Sequence, residues 1–191
     1  MTKFYLLTLF FLSSYSLTFG QQWVVKTNLL YDAATSINLG AETRLSDKWT
    51  LDVSGNVNPW SFSENRQLKH ILLQPEARYW FCGIFNRDFI GIHMHGSIFN
   101  TGRLDLPGDI GAKNIQINRY KGWLAGAGVS YGYHWILRKR WSIEATVGVG
   151  YAYIEYDRYT LCEDCIQKSG SKHRHYFGPT KLGVSLIYTI K

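Results

Sequence analysis

The strict alternation of residues 123–137 is the feature that most constrains the fold. Every second residue there is apolar or aromatic: Trp123, Ala125, Ala127, Val129, Tyr131, Tyr133, Trp135 and Leu137. The residues between them are mostly glycine or polar. A strand of a soluble protein is about 5–6 residues long, whereas this pattern continues for fifteen. Strands that cross a bilayer in a barrel alternate in this way and have aromatic residues near both ends. The pattern therefore predicts a membrane β-barrel.

The N-terminus has the features of a secretory signal peptide. Lys3 precedes an apolar run at residues 4–12, and small residues follow at Thr18 and Gly20. A membrane anchor would need about 20 apolar residues, but serines at 13, 14 and 16 end this run. We therefore expect cleavage near Gly20–Gln21, so that 1–20 is the signal peptide and 21–191 the barrel domain.

Average composition does not contradict a membrane barrel. Mean hydropathy is −0.17, a value that barrels reach because polar lumen residues alternate with apolar ones. The formal net charge is +7. Nucleic acid is nevertheless not an expected partner, because the basic residues are dispersed and an exported protein rarely meets nucleic acid.

Alternation and turn signals predict an all-β, eight-stranded antiparallel up-and-down transmembrane β-barrel. The predicted strands are Trp23–Asp32, Ile37–Leu45, Trp49–Asn58, His70–Phe81, Phe89–Asn100, Trp123–Leu137, Trp141–Tyr156 and Lys181–Ile190. Tight turns alternate with mostly longer segments at Pro59–Lys69, Thr101–Gly122 and Asp157–Thr180. Because outer-membrane barrels have short periplasmic turns and longer outer loops, we expect a bacterial outer-membrane protein with both termini in the periplasm.

The same alternation predicts a polar lumen. The inward positions include Lys26, Glu42, Arg44, Asp52, Glu76, Arg78, His93, His95, His134 and Glu144. Eight strands enclose a space only about wide enough for side chains, and buried charges are tolerable when paired. We therefore expect a structural network of ion pairs and amides, with a narrow pore as the alternative. Pro75 cannot donate to a strand ladder, so we expect a β-bulge there.

One strand contains the sequence His93-x-His95-x-Ser97, which could supply two metal ligands or a nucleophilic pair. A barrel with a His–Ser pair on a strand would resemble the lipid A deacylases of some outer membranes. Their chemistry must face lipid, whereas Ile92, Met94 and Ile98 are predicted on that face. We therefore expect an interior histidine cluster and no catalytic residues.

Cys162 and Cys165 lie in the last predicted loop, ahead of His173 and His175. These are the elements of a zinc site, but the spacing departs from the common patterns. In an exported loop we expect a small disulfide between the two cysteines instead. Cys82 would lie at the opposite, periplasmic end with a free thiol. No metal or cofactor is expected.

Two of the predicted outer loops are rich in basic residues. These are Arg103, Lys113, Arg119, Lys121, Arg158, Lys168, Lys172 and Arg174. They could contact lipopolysaccharide or a surface protein partner, but interspersed acidic residues favour a solvated loop of mixed charge.

Four segments carry a family resemblance: Lys26–Asp32, Gln74–Trp80, Gly122–Tyr133 and Lys181–Leu186. They resemble a Bacteroidota family of small OmpA-like outer-membrane barrels, which is catalogued as a domain of unknown function and often encoded near fimbrial subunits. The resemblance implies an outer-membrane barrel without assigned catalytic residues. We therefore expect a non-enzymatic structural or accessory protein, and the resemblance implies a link to fimbriae or adhesion. A lipid A-modifying enzyme and a narrow pore are the alternatives.

Overall fold

The structure is a computed structural model that describes residues 22–60, 67–102, 118–161 and 166–190. Its elements are β1 (Trp23–Asn28), α1 (Leu29–Ala33), β2 (Ile37–Arg44), β3 (Trp49–Asn58), β4 (Gln67–Trp80), β5 (Arg87–Gly102), β6 (Asn118–Ile136), β7 (Trp141–Leu161) and β8 (Ile166–Thr189). Each strand pairs antiparallel with the next, and β1 pairs with β8, which closes the barrel. The predicted all-β, eight-stranded antiparallel up-and-down barrel is confirmed. The predicted signal peptide lies outside the described residues.

The strands lengthen along the chain, from 6 residues in β1 to 24 in β8. The seventh and eighth strands continue well beyond their predicted limits at Tyr156 and Lys181, and pair as one long hairpin. The predicted loop at 157–180 was therefore wrong over most of its length. Residues 171–177 are all exposed. This part of β8 therefore lacks the alternation of apolar and polar positions by which a half-buried strand is recognised in a sequence.

The first strand is shorter than predicted, because it ends at Asn28 and the chain turns into α1. The Asn28 side chain caps this helix by accepting a hydrogen bond from the Leu30 amide at 3.1 Å. The same side chain also accepts from the Val184 amide at 3.2 Å and donates to the Leu182 carbonyl at 3.2 Å. Because the Asn28 side chain both caps the helix and bonds to the backbone of β8, the ladder of strand hydrogen bonds ends here.

The bulge expected at Pro75 was wrong. Val53 pairs with Pro75 in unbroken register with the rest of β3 and β4. The register between β4 and β5 is also the same on both sides of Pro75. The sheet instead shifts register twice between β7 and β8. At one shift, Gly148 and Val149 pair with Lys181 and Pro179, and Thr180 is the extra residue; the other lies between Arg158 and Tyr159.

The outer surface of strands β2–β8 forms an apolar belt, in which side chains are 37% to 67% exposed. Its members are Ile37, Leu39, Leu51, Val53, Val57, Ile71, Leu73, Ile90, Ile92, Met94, Ile98, Val129, Val147, Val149 and Leu182. Tryptophans flank the belt: Trp49, Trp135 and Trp141 lie toward the short turns, and Trp123 lies toward the long connections. Within the described ranges, no helix is long and apolar enough to cross a membrane.

Candidate functional site

The barrel lumen is the candidate functional site, and it is built in layers. At the end with the short turns, an apolar floor fills it with four side chains that are at most 1% exposed: Val24, Trp80, Phe89 and Ile187. The rings of Trp80 and Phe89 lie 4.8 Å apart between centroids. This floor closes one end of the lumen, and the alternation argument did not identify it as a separate layer.

Arg78 lies at the centre of the next layer and is 1% exposed. Its guanidinium contacts four carboxylates: Glu42 and Glu76 at 2.8 Å, Asp52 at 2.9 Å and Glu144 at 3.1 Å. The guanidinium also lies 4.4 Å from the centre of the Phe89 ring. A planar group with five donors suits this convergence, because it can bond several carboxylates at once.

Two lysines complete the charged layer. Lys26 Nζ lies 2.5 Å from Glu42 and 3.2 Å from Asp52. Lys181 Nζ lies 2.6 Å from Glu76 and 3.7 Å from Asp52. Three cations, counting Arg78, thus face four buried carboxylates, and a cavity of only about 30 Å³ remains beside them. These ion-paired side chains fill the lumen in the middle of the barrel.

Arg44 does not belong to this network, contrary to the sequence prediction. Its side chain is 38% exposed and forms an ion pair with Asp47 in the β2–β3 turn. Lys181 was missed because the prediction placed it at the start of a strand. Its inward position could have been found from the alternation, since the apolar residues Leu182, Val184 and Leu186 follow it at every second position on the opposite face.

The predicted histidines are all buried. His93 Nε2 is hydrogen-bonded to Thr180 Oγ1 at 2.9 Å, and the rings of His93 and His95 lie 5.7 Å apart. His134 Nδ1 lies 3.8 Å from Glu144. Among the described residues, no group of three or more His, Cys, Asp or Glu side chains could hold a metal ion.

Glycines make room for the histidine pair. A Cβ atom at Gly126 would lie 2.6 Å from His95 Nε2, and one at Gly128 would lie 2.9 Å from His93 Cε1. Both distances are shorter than real carbon contacts, so the imidazoles pack directly on the bare backbone of β6.

On the side of the histidines away from the charged layer, several of the inward side chains are apolar. Leu72, Leu124, Ala152 and Ile154 line a cavity of about 300 Å³, together with His95, Ser97 and Gln74. We call this cavity the vestibule. Leu72, Ser97, Leu124 and Ile154 are direct neighbours on successive strands β4 to β7. The vestibule lies at the end of the long connections, opposite the apolar floor.

The candidate His95–Ser97 pair faces the vestibule. In the part of the chain that the structure describes, no hydrogen bond joins the two side chains. The outer face of the same strand presents Ile92, Met94 and Ile98, which are 63% to 67% exposed. The pair therefore does not reach the outer surface of the barrel.

Cys162 and Cys165, for which a disulfide is predicted, lie outside the described residues. Their proposed histidine partners are on β8, where His175 Nδ1 lies 2.5 Å from the Tyr151 hydroxyl. His173 stacks on Tyr153 with ring centroids 6.2 Å apart. Cys82 is exposed in the β4–β5 turn, at the other end of the barrel.

The comparisons with known proteins give a family. Residues 4–190 match the model of a family described as "Protein of unknown function (DUF3575)". No curated protein and no solved structure matches the chain. The match covers nearly all of the sequence, and the chain therefore belongs to the DUF3575 family of proteins of unknown function.

Proposed function

We propose that this protein is a non-enzymatic bacterial outer-membrane barrel of the small OmpA-like type, with its long connections at the cell exterior. The observation that carries the proposal is the reversed polarity of the barrel. Lys26 and Arg78, with four carboxylates, are buried inside, while large apolar side chains are exposed outside. In water this arrangement would be unfavourable, whereas a bilayer provides a solvent for the belt.

The height of the belt supports a transmembrane position. Trp123 and Trp135 lie on the outer face of one strand, twelve residues apart. At about 3.4 Å per residue and a tilt of about 40°, they are separated by roughly 30 Å along the barrel axis. Tryptophan favours both interfaces of a bilayer, and this separation is close to the thickness of a hydrocarbon core.

Basic residues above the belt support the orientation. Lys69 and Lys121 flank Asn100 in one row across β4, β5 and β6. Arg119 donates to Asn100 Oδ1 at 2.7 Å. The row lies just beyond Trp123, at the end of the long connections. We infer that lipopolysaccharide phosphates contact it, since these phosphates lie at the outer surface and Lys and Arg bind phosphate well.

The filled lumen favours a structural role over a pore or an enzyme. The apolar floor and the charged layer both obstruct the path of an ion. His95 and Ser97 face the vestibule, away from the surface on which a lipid A-modifying enzyme would work. An accessory role near fimbriae or adhesins, with a surface protein as partner, rests on the family resemblance of the sequence.

Protease accessibility on intact cells tests the proposal. A cleavable epitope within Gly108–Lys113 should be cut on whole cells, while one at Lys139 should be cut only after the outer membrane is opened. Both tagged proteins should fractionate with the outer membrane. Cleavage of the Lys139 epitope alone would invert the topology, and recovery of the protein in a soluble fraction would contradict the proposal.

A further inference from the structure

The vestibule is an unusual place for apolar side chains. Leu72, Leu124 and Ile154 point into the barrel at the end of the long connections, whereas most buried inward side chains nearer the middle of the barrel are polar or charged. None of the three is fully buried. Apolar side chains that line an open concave space of about 300 Å³ are typical of a small-molecule site, which combines an apolar wall with a few polar groups.

The base of the vestibule has such a polar group. His95 is only 7% exposed, and its Nδ1 has no hydrogen-bond partner among the described residues. The imidazole is held in place because it packs on the backbone of Gly126. Because Nδ1 is buried away from the cavity surface, a ligand's head in the vestibule would hydrogen-bond to the other ring nitrogen, Nε2, which also has no hydrogen-bond partner among the described residues.

We propose that the vestibule binds a small uncharged amphiphile, whose apolar body contacts Leu72, Leu124 and Ile154 and whose head hydrogen-bonds to His95. The Ser97 hydroxyl, two residues along the same inner face, is a second group within reach of the head. The cavity has the volume of about ten water molecules at ~30 Å³ each, which suits a molecule of 8–10 heavy atoms such as a medium-chain alcohol.

The lining of the vestibule disfavours an anionic head. Neither lysine nor arginine is among the described residues that line the cavity, and Lys181, the cation of the charged layer on β8, is already 2.6 Å from Glu76. A carboxylate or phosphate beside His95 would therefore lose its hydration without gaining a cationic partner. An alcohol or amide head can donate to or accept from the imidazole without that cost.

Methyl NMR of the barrel in lipid nanodiscs, titrated with 1-octanol, tests the proposal. Octanol also partitions into lipid, so outward methyls such as that of Ile92 should shift without saturating. The methyls of Leu72, Leu124 and Ile154 should shift and saturate. Sodium octanoate should bind more weakly at these methyls than octanol; tighter binding of octanoate would overturn the uncharged head.

Variants separate the site from the bilayer. Ala152→Leu and, independently, Ser97→Leu should fill the vestibule and abolish the saturable shifts. His95→Phe should weaken octanol binding about three- to tenfold, the value of one hydrogen bond. Met94→Leu, on the outer face of the same strand, is the matched control and should change nothing.

Saturable shifts that persist in both filled variants would overturn the proposal. So would contacts of these methyls with residues 103–117 in the ligand-free protein, because the chain itself would then occupy the vestibule.

Discussion

At the scale of the residue, Arg78 has the largest predicted effect. It is the one described side chain that contacts all four buried carboxylates. Its removal leaves Lys26 and Lys181 as the only lysine or arginine partners of these carboxylates among the described residues. Removing one partner of a buried ion pair is far more destabilising than the net value of the pair, because the remaining charge stays desolvated.

Arg78→Met should therefore lower the free energy of unfolding by about 3–5 kcal/mol. The measurement is urea unfolding in detergent micelles, followed by the mobility shift of folded barrels on gels. Ala77→Leu, on the outer face beside it, should be nearly silent. Equal stability of Arg78→Met and the parent would show that the carboxylates do not depend on the guanidinium.

Two glycines of β5 give a second prediction at this scale. A Cβ atom at Gly91 would clash with the Glu76 carboxylate and lie 2.6 Å from Ser130 Oγ, whereas one at Gly96 finds nothing closer than 4.0 Å. The Glu76 carboxylate cannot move freely, since Arg78 and Lys181 hold it. Gly91→Ala should cost about 1–3 kcal/mol of unfolding free energy.

Gly96→Ala is the matched control and should be neutral or stabilising by less than about 1 kcal/mol, because alanine loses less backbone freedom on folding. Both variants are compared with the parent by the same urea titration. A larger loss at Gly96 than at Gly91 would mean that the two faces of β5 are assigned the wrong way round.

At the scale of the element, the bulge at Thr180 in β8 positions side chains of the lumen. The extra residue Thr180 hydrogen-bonds to His93 Nε2 at 2.9 Å, and its carbonyl accepts from Gln74 Nε2 at 3.3 Å. A bulge can redirect a side chain that regular alternation would send elsewhere. The bulged strand thus supports the histidine pair beneath the vestibule.

Thr180→Val should lower stability by about 0.5–1.5 kcal/mol, since it removes the hydrogen bond to His93 but keeps the shape of the side chain. Thr43→Val is the control: the Thr43 hydroxyl has no partner within the described part of the chain, so its loss should cost nothing. An unchanged His93 side-chain NMR signal in Thr180→Val would contradict the assigned bond.

Element boundaries also show how far the sequence could be interpreted. The strands were predicted well where one face is apolar, as in β3, whose limits at Trp49 and Asn58 are those observed. They were predicted poorly where both faces of the strand are exposed, as at residues 171–177 of β8. Pro75 and Thr180 show a further limit, because strand register depends on pairing partners that local sequence does not specify.

The same reasoning applies to the lumen. Inward charges on regular strands were predictable by counting every second residue, and nine of the ten predicted residues are buried. Arg44 was not, because at a strand end a long side chain can turn out to a nearby carboxylate such as Asp47. The vestibule was not predictable, because inward Leu72 and outward Leu73 look alike in a sequence.

At the scale of the whole molecule, the described residues close the lumen at one end and leave a cavity, the vestibule, at the other. The apolar floor and the charged layer should prevent ion flow through the barrel. Planar-bilayer recordings of the purified protein should therefore show no unitary conductance. Trp80→Ala with Phe89→Ala, which opens the floor but keeps the charges, should also remain silent. Steady conductance of the parent protein would favour the narrow pore instead.

The central claim is that the apolar belt lies in lipid, and spin labels on the outer face of β5 test it most directly. In liposomes, with the native cysteines replaced by serine, labels at Ile92 and Met94 should be accessible to oxygen and protected from a water-soluble nickel complex. A label at Lys121, above the belt, should show the opposite preference. Strong accessibility of Ile92 and Met94 to the nickel complex would place the belt in water and contradict a transmembrane barrel.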